Sequence, residues 1–212
     1  MKLRLVVVVS LLAVLLGSSA QASHARARVG IVPEGFEMRA VPDAAAAARY
    51  TRLYVAALGL KGLQVRRVAI TRTEGYFYVY VAERSTGRGA FTLEITPQGR
   101  LSVRRFPSMD PEMMWNQKYG HRARRDLGMI RERLTPEQAR ARAAKAIPAS
   151  TGLRLGSQEH YYGYLLVFLL DPGGRWVGEA AVNTVSGRVV WARFAGGTPA
   201  VVPPSADPAS GE

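Results

Sequence analysis

The chain contains no cysteine among its 212 residues and only three histidines, His24, His121 and His160. The absence of cysteine excludes disulfides, cysteine-ligated zinc and iron–sulfur centres, c-type haem attachment and thiol nucleophiles. A zinc site built only from histidines would need every histidine in the chain. Few residue types are therefore left from which a reactive centre could be made.

Acidic residues are also scarce relative to basic ones, with 16 Asp and Glu against 29 Lys and Arg and a formal charge of +13. Arginine pairs well with phosphate and carboxylate groups, but no nucleic-acid-binding motif accompanies the charge. The basic residues are spread along the chain, which favours a solvated basic surface over a polyanion site. We expect no nucleic-acid partner, and contact with a membrane surface is compatible with the charge but not required by it.

No apolar run reaches the length of a membrane-spanning helix. The longest, Leu5–Leu16, has 12 residues, whereas a transmembrane helix needs about 20. A short basic start precedes this run and the small-residue pattern Ala20-Gln21-Ala22 follows it, which is the arrangement of a secretory signal. We expect residues 1–22 to be a signal peptide cleaved near Ala22, and the mature protein to be periplasmic or secreted; a retained signal anchor is the alternative.

Two segments share one order of helix and strand signals. In the first, residues 41–105, Asp43 is suited to an N-cap, and apolar residues at three- and four-residue spacing predict an amphipathic helix over Ala44–Leu58. Glycine-containing turns separate the strand candidates that follow. These candidates are Leu63–Thr71, Tyr76–Glu83, Ala90–Thr96 and Leu101–Arg105.

The second segment, residues 135–195, repeats this order. Thr135-Pro136-Glu137-Gln138 combines an N-cap, a proline at the first helical position and a capping box, and it predicts a helix that Pro148 ends. The strand candidates are Leu153–Glu159, Tyr162–Leu170, Trp176–Asn183 and Arg188–Phe194. A shift of 88 residues relates Gly75 to Gly163 and Gly99 to Gly187. We therefore predict an α+β fold of two tandem units, each with one helix packed on a small antiparallel β-sheet.

The second unit resembles PepSY-type domains. The resemblance rests on the opening Leu134-Thr135-Pro136-Glu137-Gln138-Ala139 and on the closing turn Asn183-Thr184-Val185-Ser186-Gly187-Arg188-Val189. Asn183 stands where the family usually has Asp, and the first unit carries a weaker version that ends in residues 95–101. The resemblance implies an exported, non-enzymatic module that binds or regulates another protein. It implies no functional residue, because the matching positions form turns, caps and core.

The connector between the units, residues 106–134, is rich in methionine and aromatic residues, and three interpretations stay open. In the first, Met113, Met114, Trp115 and Tyr119 fill the interface between the units. In the second, these side chains form an exposed docking site for a protein partner, together with Arg122, Arg124 and Arg125. In the third, thioether and imidazole groups bind Cu(I), with Met109, Met113, Met114 and His121 as the ligands.

No arrangement of residues indicates an enzyme. Glu159 and His160 are neighbours on a predicted strand, so their side chains should point to opposite faces and should not converge. The sequence has no Gly-x-Ser-x-Gly elbow and no glycine-rich phosphate loop between a strand and a helix. We expect no catalytic residue and no cofactor, and the sequence does not indicate an oligomeric state.

Both ends of the mature chain lack motifs. Residues 23–40 have mixed composition, and we expect them to be only partly ordered. Residues 196–212 are rich in Pro, Gly, Ser and Ala, which predicts a disordered tail.

Overall fold

A computed structural model of the chain describes residues 32–37, 39–70, 75–103, 114–120, 128–193 and 200–202. Within these residues there are two α-helices and nine β-strands, and the strands form two antiparallel sheets. None of the described helices is long and apolar enough to cross a membrane. The predicted signal peptide, residues 1–22, lies outside the described residues, and the expected localisation stays a prediction.

Unit 1 contains helix α1 and four strands in the predicted order. The elements are α1 (Ala44–Ala57), β1 (Leu63–Ile70), β2 (Phe77–Glu83), β3 (Gly89–Ile95) and β4 (Leu101–Val103). The Asp43 carboxylate accepts a 2.7 Å hydrogen bond from the Ala46 N–H, so the predicted N-cap is confirmed.

Unit 2 repeats this layout. Its elements are α2 (Pro136–Ala146), a 3-10 turn (Ala149–Thr151), β5 (Arg154–His160), β6 (Tyr164–Leu170), β7 (Trp176–Asn183) and β8 (Val189–Arg193). The capping box is formed in both directions: the Gln138 N–H donates to the Thr135 hydroxyl, and the Thr135 N–H donates to Gln138 Oε1 at 2.9 Å. The strands form a four-stranded sheet of order β5-β6-β7-β8. The prediction of two tandem α+β units is therefore confirmed.

The glycines that relate the two units share a backbone conformation. Gly99 and Gly187 have φ angles of +83° and +77°, and Gly75 and Gly163 have +67° and +100°. Such angles are costly for residues with a side chain. The shift of 88 residues thus relates turns with the same left-handed backbone conformation, which glycine adopts without strain.

A short strand lies in the segment that the composition predicts to be a disordered tail. Residues Ala200–Val202 form β9, which pairs antiparallel with Val68–Ile70 of β1. This pairing gives the first sheet the order β4-β3-β2-β1-β9. Composition alone did not reveal the strand because its partner, the unpaired edge of β1, lies more than a hundred residues earlier. The remaining residues of this tail lie outside those described.

The two sheets pack face to face, and each carries its helix on the outer face. On β2, Phe77 and Val79 pack with α1, whereas Tyr78 and Tyr80 point toward the second sheet. Side chains along β6 alternate in the same way between α2 and the first sheet, so both faces of β2 and of β6 are buried. The apolar residues between the sheets form the inter-sheet core, whose buried members are Ala69, Tyr78, Tyr80, Trp115, Tyr161, Tyr164, Leu166, Phe168, Trp176 and Ala181.

Aromatic contacts dominate the inter-sheet core. The ring centroids of Tyr80 and Phe168 are 5.6 Å apart, and those of Phe168 and Trp176 are 5.0 Å apart, both edge-on. The Tyr80 hydroxyl donates a 2.7 Å hydrogen bond to Glu179. Units of this size are near the lower limit for a self-sufficient core, and this shared layer supplies the additional burial.

Candidate partner-binding surface at the junction of the units

Residues Met114–Gly120 of the connector form a compact turn that we call the junction turn. Trp115 is buried in the inter-sheet core, and Tyr119 is buried against unit 1. The Tyr119 ring lies 6.0 Å from that of Phe91 and 6.3 Å from that of Tyr162. These two aromatic residues therefore lie within the interface between the units, while Met114 is 56% exposed.

Amide groups hold the junction turn to both units. The buried Asn116 donates through Nδ2 to the Ala90 carbonyl of β3 at 2.6 Å, and its Oδ1 accepts from the Tyr119 N–H at 2.9 Å. The Gln117 N–H donates to the Tyr162 carbonyl at 2.8 Å. The backbone at Gly163 approaches the Trp115 carbonyl so closely that a Cβ there would collide with it. The turn is thus fixed by short hydrogen bonds, and no local pattern in the sequence predicted this role of Asn116.

Glu83, the last residue of β2, lies beneath the junction turn and accepts four hydrogen bonds. The donors are Lys118 Nζ at 2.5 Å, the Tyr119 hydroxyl at 2.6 Å, the Tyr162 hydroxyl at 2.5 Å and the Thr86 hydroxyl at 2.8 Å. Burial acts to raise the pKa of Glu83, but these donors outweigh it and lower the pKa to about 2. One carboxylate therefore joins unit 1, the connector and unit 2.

A second polar cluster joins the units beside the first. Arg88 pairs with Glu132, stacks 4.2 Å above the Tyr162 ring centroid and donates to the Tyr161 carbonyl at 2.8 Å. His160 Nε2 lies 2.8 Å from Glu132 Oε2. Burial acts to raise the pKa of Glu132, and hydrogen bonds from His160 and Arg88 overcome it and lower the pKa to about 2. Arg88, Glu132 and His160 lie far apart in the chain, so no local pattern in the sequence predicted this cluster.

Glu159 and His160 point in different directions, as predicted. Glu159 is buried and pairs with Arg66 at 3.0 Å and more loosely with Arg67 at 3.9 Å, whereas His160 contacts Glu132. Burial raises the pKa of Glu159, and the two arginines offset this only in part. The two neighbours therefore do not form an acid–base pair.

Three large apolar side chains are exposed at the junction, and we call them the apolar rim. Met114 is 56% exposed, Met129 65% and Ile130 45%. The Ile130 N–H donates to Gln117 Oε1, so the segment that carries Met129 and Ile130 is held to the junction turn. The exposed Arg131 follows directly in the chain. The rim thus consists of exposed apolar side chains on an anchored backbone, and Arg131 adds positive charge next to Ile130 in the chain.

Several predicted site residues fall outside the described residues. For the partner-binding interpretation these are Met113, Arg122, Arg124 and Arg125, and for the Cu(I) interpretation Met109, Met113 and His121. Of the proposed copper ligands only Met114 is described, and its side chain is exposed. Within the described part of the chain, no group of three or more His, Cys, Asp or Glu residues could hold a metal ion. Copper binding stays a prediction.

Comparison with known proteins gives one remote structural similarity. No protein-family model matches the chain, and no curated protein matches it. A solved structure, the Bacillus megaterium YpeB C-terminal domain, is similar with 13% identity and a TM-score of 0.26. The match covers 72% of this chain and 62% of that chain, so this chain spans less than two thirds of its length. A similarity of this size assigns neither a family nor an activity.

Proposed function

We propose that this protein is an exported, non-enzymatic binding module of two PepSY-like units, which binds or regulates another protein through its apolar rim. The observation that carries the proposal is the exposure of Met114, Met129 and Ile130, at 56%, 65% and 45%, beside a turn that is otherwise buried. Methionine is enriched at protein interfaces and adapts to irregular partner surfaces.

The anchored backbone beneath the rim supports this proposal. Asn116 and Gln117 hold the junction turn by hydrogen bonds to both units, so binding would order little additional chain. A preorganised surface loses less conformational entropy when it binds, and more of its contact energy appears as affinity. The basic residues around it, such as Arg131, favour an acidic partner surface and faster association at low salt.

The chemistry of the two polar clusters supports a role without catalysis. Glu83 and Glu132 accept their hydrogen bonds from groups of the protein itself, and each has a pKa of about 2. A general acid or base works best when its pKa lies near the working pH, and these carboxylates are ionised and very weakly basic at neutral pH. Their geometry is that of groups which hold the units together.

Site-specific photocrosslinking tests the rim. A photoreactive amino acid replaces Met114 in one variant and Leu53 in the control, since Leu53 is also exposed, at 55%, but lies on α1. Each variant is mixed with the exported proteins of the source cell and irradiated. The probe at position 114 should then give a discrete adduct that the probe at position 53 does not give. Adding Met129→Glu and Ile130→Glu should abolish that adduct without changing the circular dichroism spectrum. The same adducts from both probes, or none from either, would contradict the proposal.

Export is tested separately. Expression of the full chain followed by cell fractionation and N-terminal sequencing should recover a mature protein that begins near Ser23 outside the cytoplasm. Recovery of the intact chain in the cytoplasmic fraction would contradict export while leaving the crosslinking result interpretable.

A further inference from the structure

A groove with an apolar floor and a basic rim lies at the end of α1. It has a volume of about 390 Å³ and is formed where α1 passes over the start of β1. Val55, Leu60 and Leu63 are among its apolar residues, and each is less than a tenth exposed. Gly59 lines the groove without a side chain, and the space where its Cβ would lie is open. The groove is therefore a preformed concave site whose lining is mainly apolar.

Positive charge surrounds this floor. The lining includes Arg52, Lys61 and Arg84 and no carboxylate. Arg84 is held near the floor because its Nε donates to the Leu63 carbonyl at 3.4 Å. Among the described residues, no ion pair involves Lys61 or Arg84. Two cations at the edge of the groove thus have no acidic partner within the described part of the chain.

We propose that this groove binds an amphipathic monoanion, of which a medium-chain aliphatic carboxylate is the simplest form. The chain would lie on Val55, Leu60 and Leu63, and the carboxylate would meet Lys61 and Arg84 at the rim. The volume is near the lower end of small-molecule sites, which span roughly 300 to 1,000 Å³. A groove of this size suits one short aliphatic chain. The site lies within unit 1 and uses no residue of the apolar rim, so this proposal does not rest on the proposed protein partner.

Isothermal titration of the purified mature protein with hexanoate, octanoate and decanoate tests the proposal. Each buried methylene should tighten binding about fourfold until the groove is filled. Decanol, which has the same chain without the charge, should bind at least tenfold more weakly than decanoate. Raising the salt concentration should weaken decanoate more than decanol, because the rim is exposed to solvent.

Two pairs of variants separate charge from shape. Lys61→Glu combined with Arg84→Glu should weaken decanoate binding at least tenfold, whereas Lys145→Glu, on the last turn of α2, should leave it unchanged. Ala56→Phe fills the groove without altering charge and should abolish binding, whereas Ala57→Phe, its exposed neighbour outside the groove, should not. The circular dichroism spectrum of each variant establishes that it is folded. Absence of saturable decanoate binding, equal binding of decanol, or full binding by the Ala56→Phe variant would overturn the proposal.

Discussion

The outer core of unit 2 is built from its own buried residues, whereas that of unit 1 takes in two aromatic rings from elsewhere. Between α2 and the second sheet, the buried residues are Ala139, Ala143, Ile147, Leu165, Val167, Leu169, Ala180 and Val182. Between α1 and the first sheet, Tyr119 of the connector and Tyr162 of unit 2 join the residues of unit 1. Equivalent units thus close their cores differently, and the connector forms part of the core of unit 1.

The ends of the second strands show how this difference arises. β2 ends at Glu83, and the shift of 88 residues relates Glu83 to Asp171, the residue directly after β6. Glu83 accepts hydrogen bonds from the connector and from unit 2, whereas Asp171 pairs with Arg175 of its own unit. A buried carboxylate needs hydrogen-bond donors, and three of the four donors to Glu83 come from outside unit 1. Met114 of the apolar rim therefore belongs to the segment that completes the core of unit 1.

The largest expected effect comes from the layer that the two units share. Phe168→Ala removes a ring that contacts Tyr80, Trp176 and the guanidinium of Arg67. We expect it to lower the free energy of unfolding by about 4 kcal/mol, within the range for large aromatic truncations. Urea denaturation followed by tryptophan fluorescence and circular dichroism should show one transition by both probes. Two separated transitions would mean that the units are stable independently, and would contradict a shared core.

Removing the charge of Glu83 should affect the junction next most strongly. Glu83→Gln leaves the Lys118 ammonium, which is 23% exposed, without its carboxylate. It also places the NH2 donor of the glutamine amide among the four groups that donate to Glu83. Breaking a buried pair in this way costs about 3 kcal/mol. Urea denaturation measures the loss, and Glu34→Gln, at an exposed position, is the control and should change stability by less than about 0.5 kcal/mol. Equal stability of the two variants would show that the junction does not depend on Glu83.

Low pH should destabilise the junction in the unmutated protein. Glu83 and Glu132 have folded pKa values of about 2, below the ordinary value of 4.5. Their stabilisation is therefore present above about pH 4.5 and is lost as the pH falls toward 2. From the pKa shift, each carboxylate accounts for on the order of 3 kcal/mol. The free energy of unfolding of Glu83→Gln should fall less over this interval than that of the parent protein. Parallel curves for the two proteins would contradict the assignment.

The sequence predicted the elements whose signals are local. The helix expected over Ala44–Leu58 spans Ala44–Ala57, because the Asp43 cap and the glycines that follow fix its ends within a few residues. The capping box at Thr135 likewise placed the start of α2. Strand ends were close to prediction since turns with left-handed glycines bound them. Local hydrogen bonds and steric limits can be read from neighbouring residues.

Contacts between distant residues were not predictable in this way. Glu132 meets Arg88, 44 residues earlier, and His160, 28 residues later, and no local pattern relates these positions. The connector also has no periodicity to separate buried from exposed residues. It mixes apolar, aromatic, polar and charged residues, and the orientation of the junction turn depends on the hydrogen bond from the Asn116 amide to the Ala90 carbonyl. The connector is unusual in composition, but only its packing against the two units determines that Trp115 is buried and Met114 is exposed.

The smallest expected effect concerns Glu159, a buried carboxylate with fewer partners than Glu83. Glu159 pairs with Arg66 and Arg67, and burial raises its pKa, in contrast to Glu83. Because the folded pKa is raised, its contribution to stability is greatest below the unfolded pKa and is lost as the pH rises through the folded value. Glu159→Gln imitates the neutral form, and Arg67 keeps its contact with the Phe168 ring. We therefore expect a change of less than about 1 kcal/mol at pH 7, measured by urea denaturation beside Glu83→Gln. If both variants lost the same free energy, burial alone would govern both sites, and the four donors around Glu83 would not account for the difference between the units.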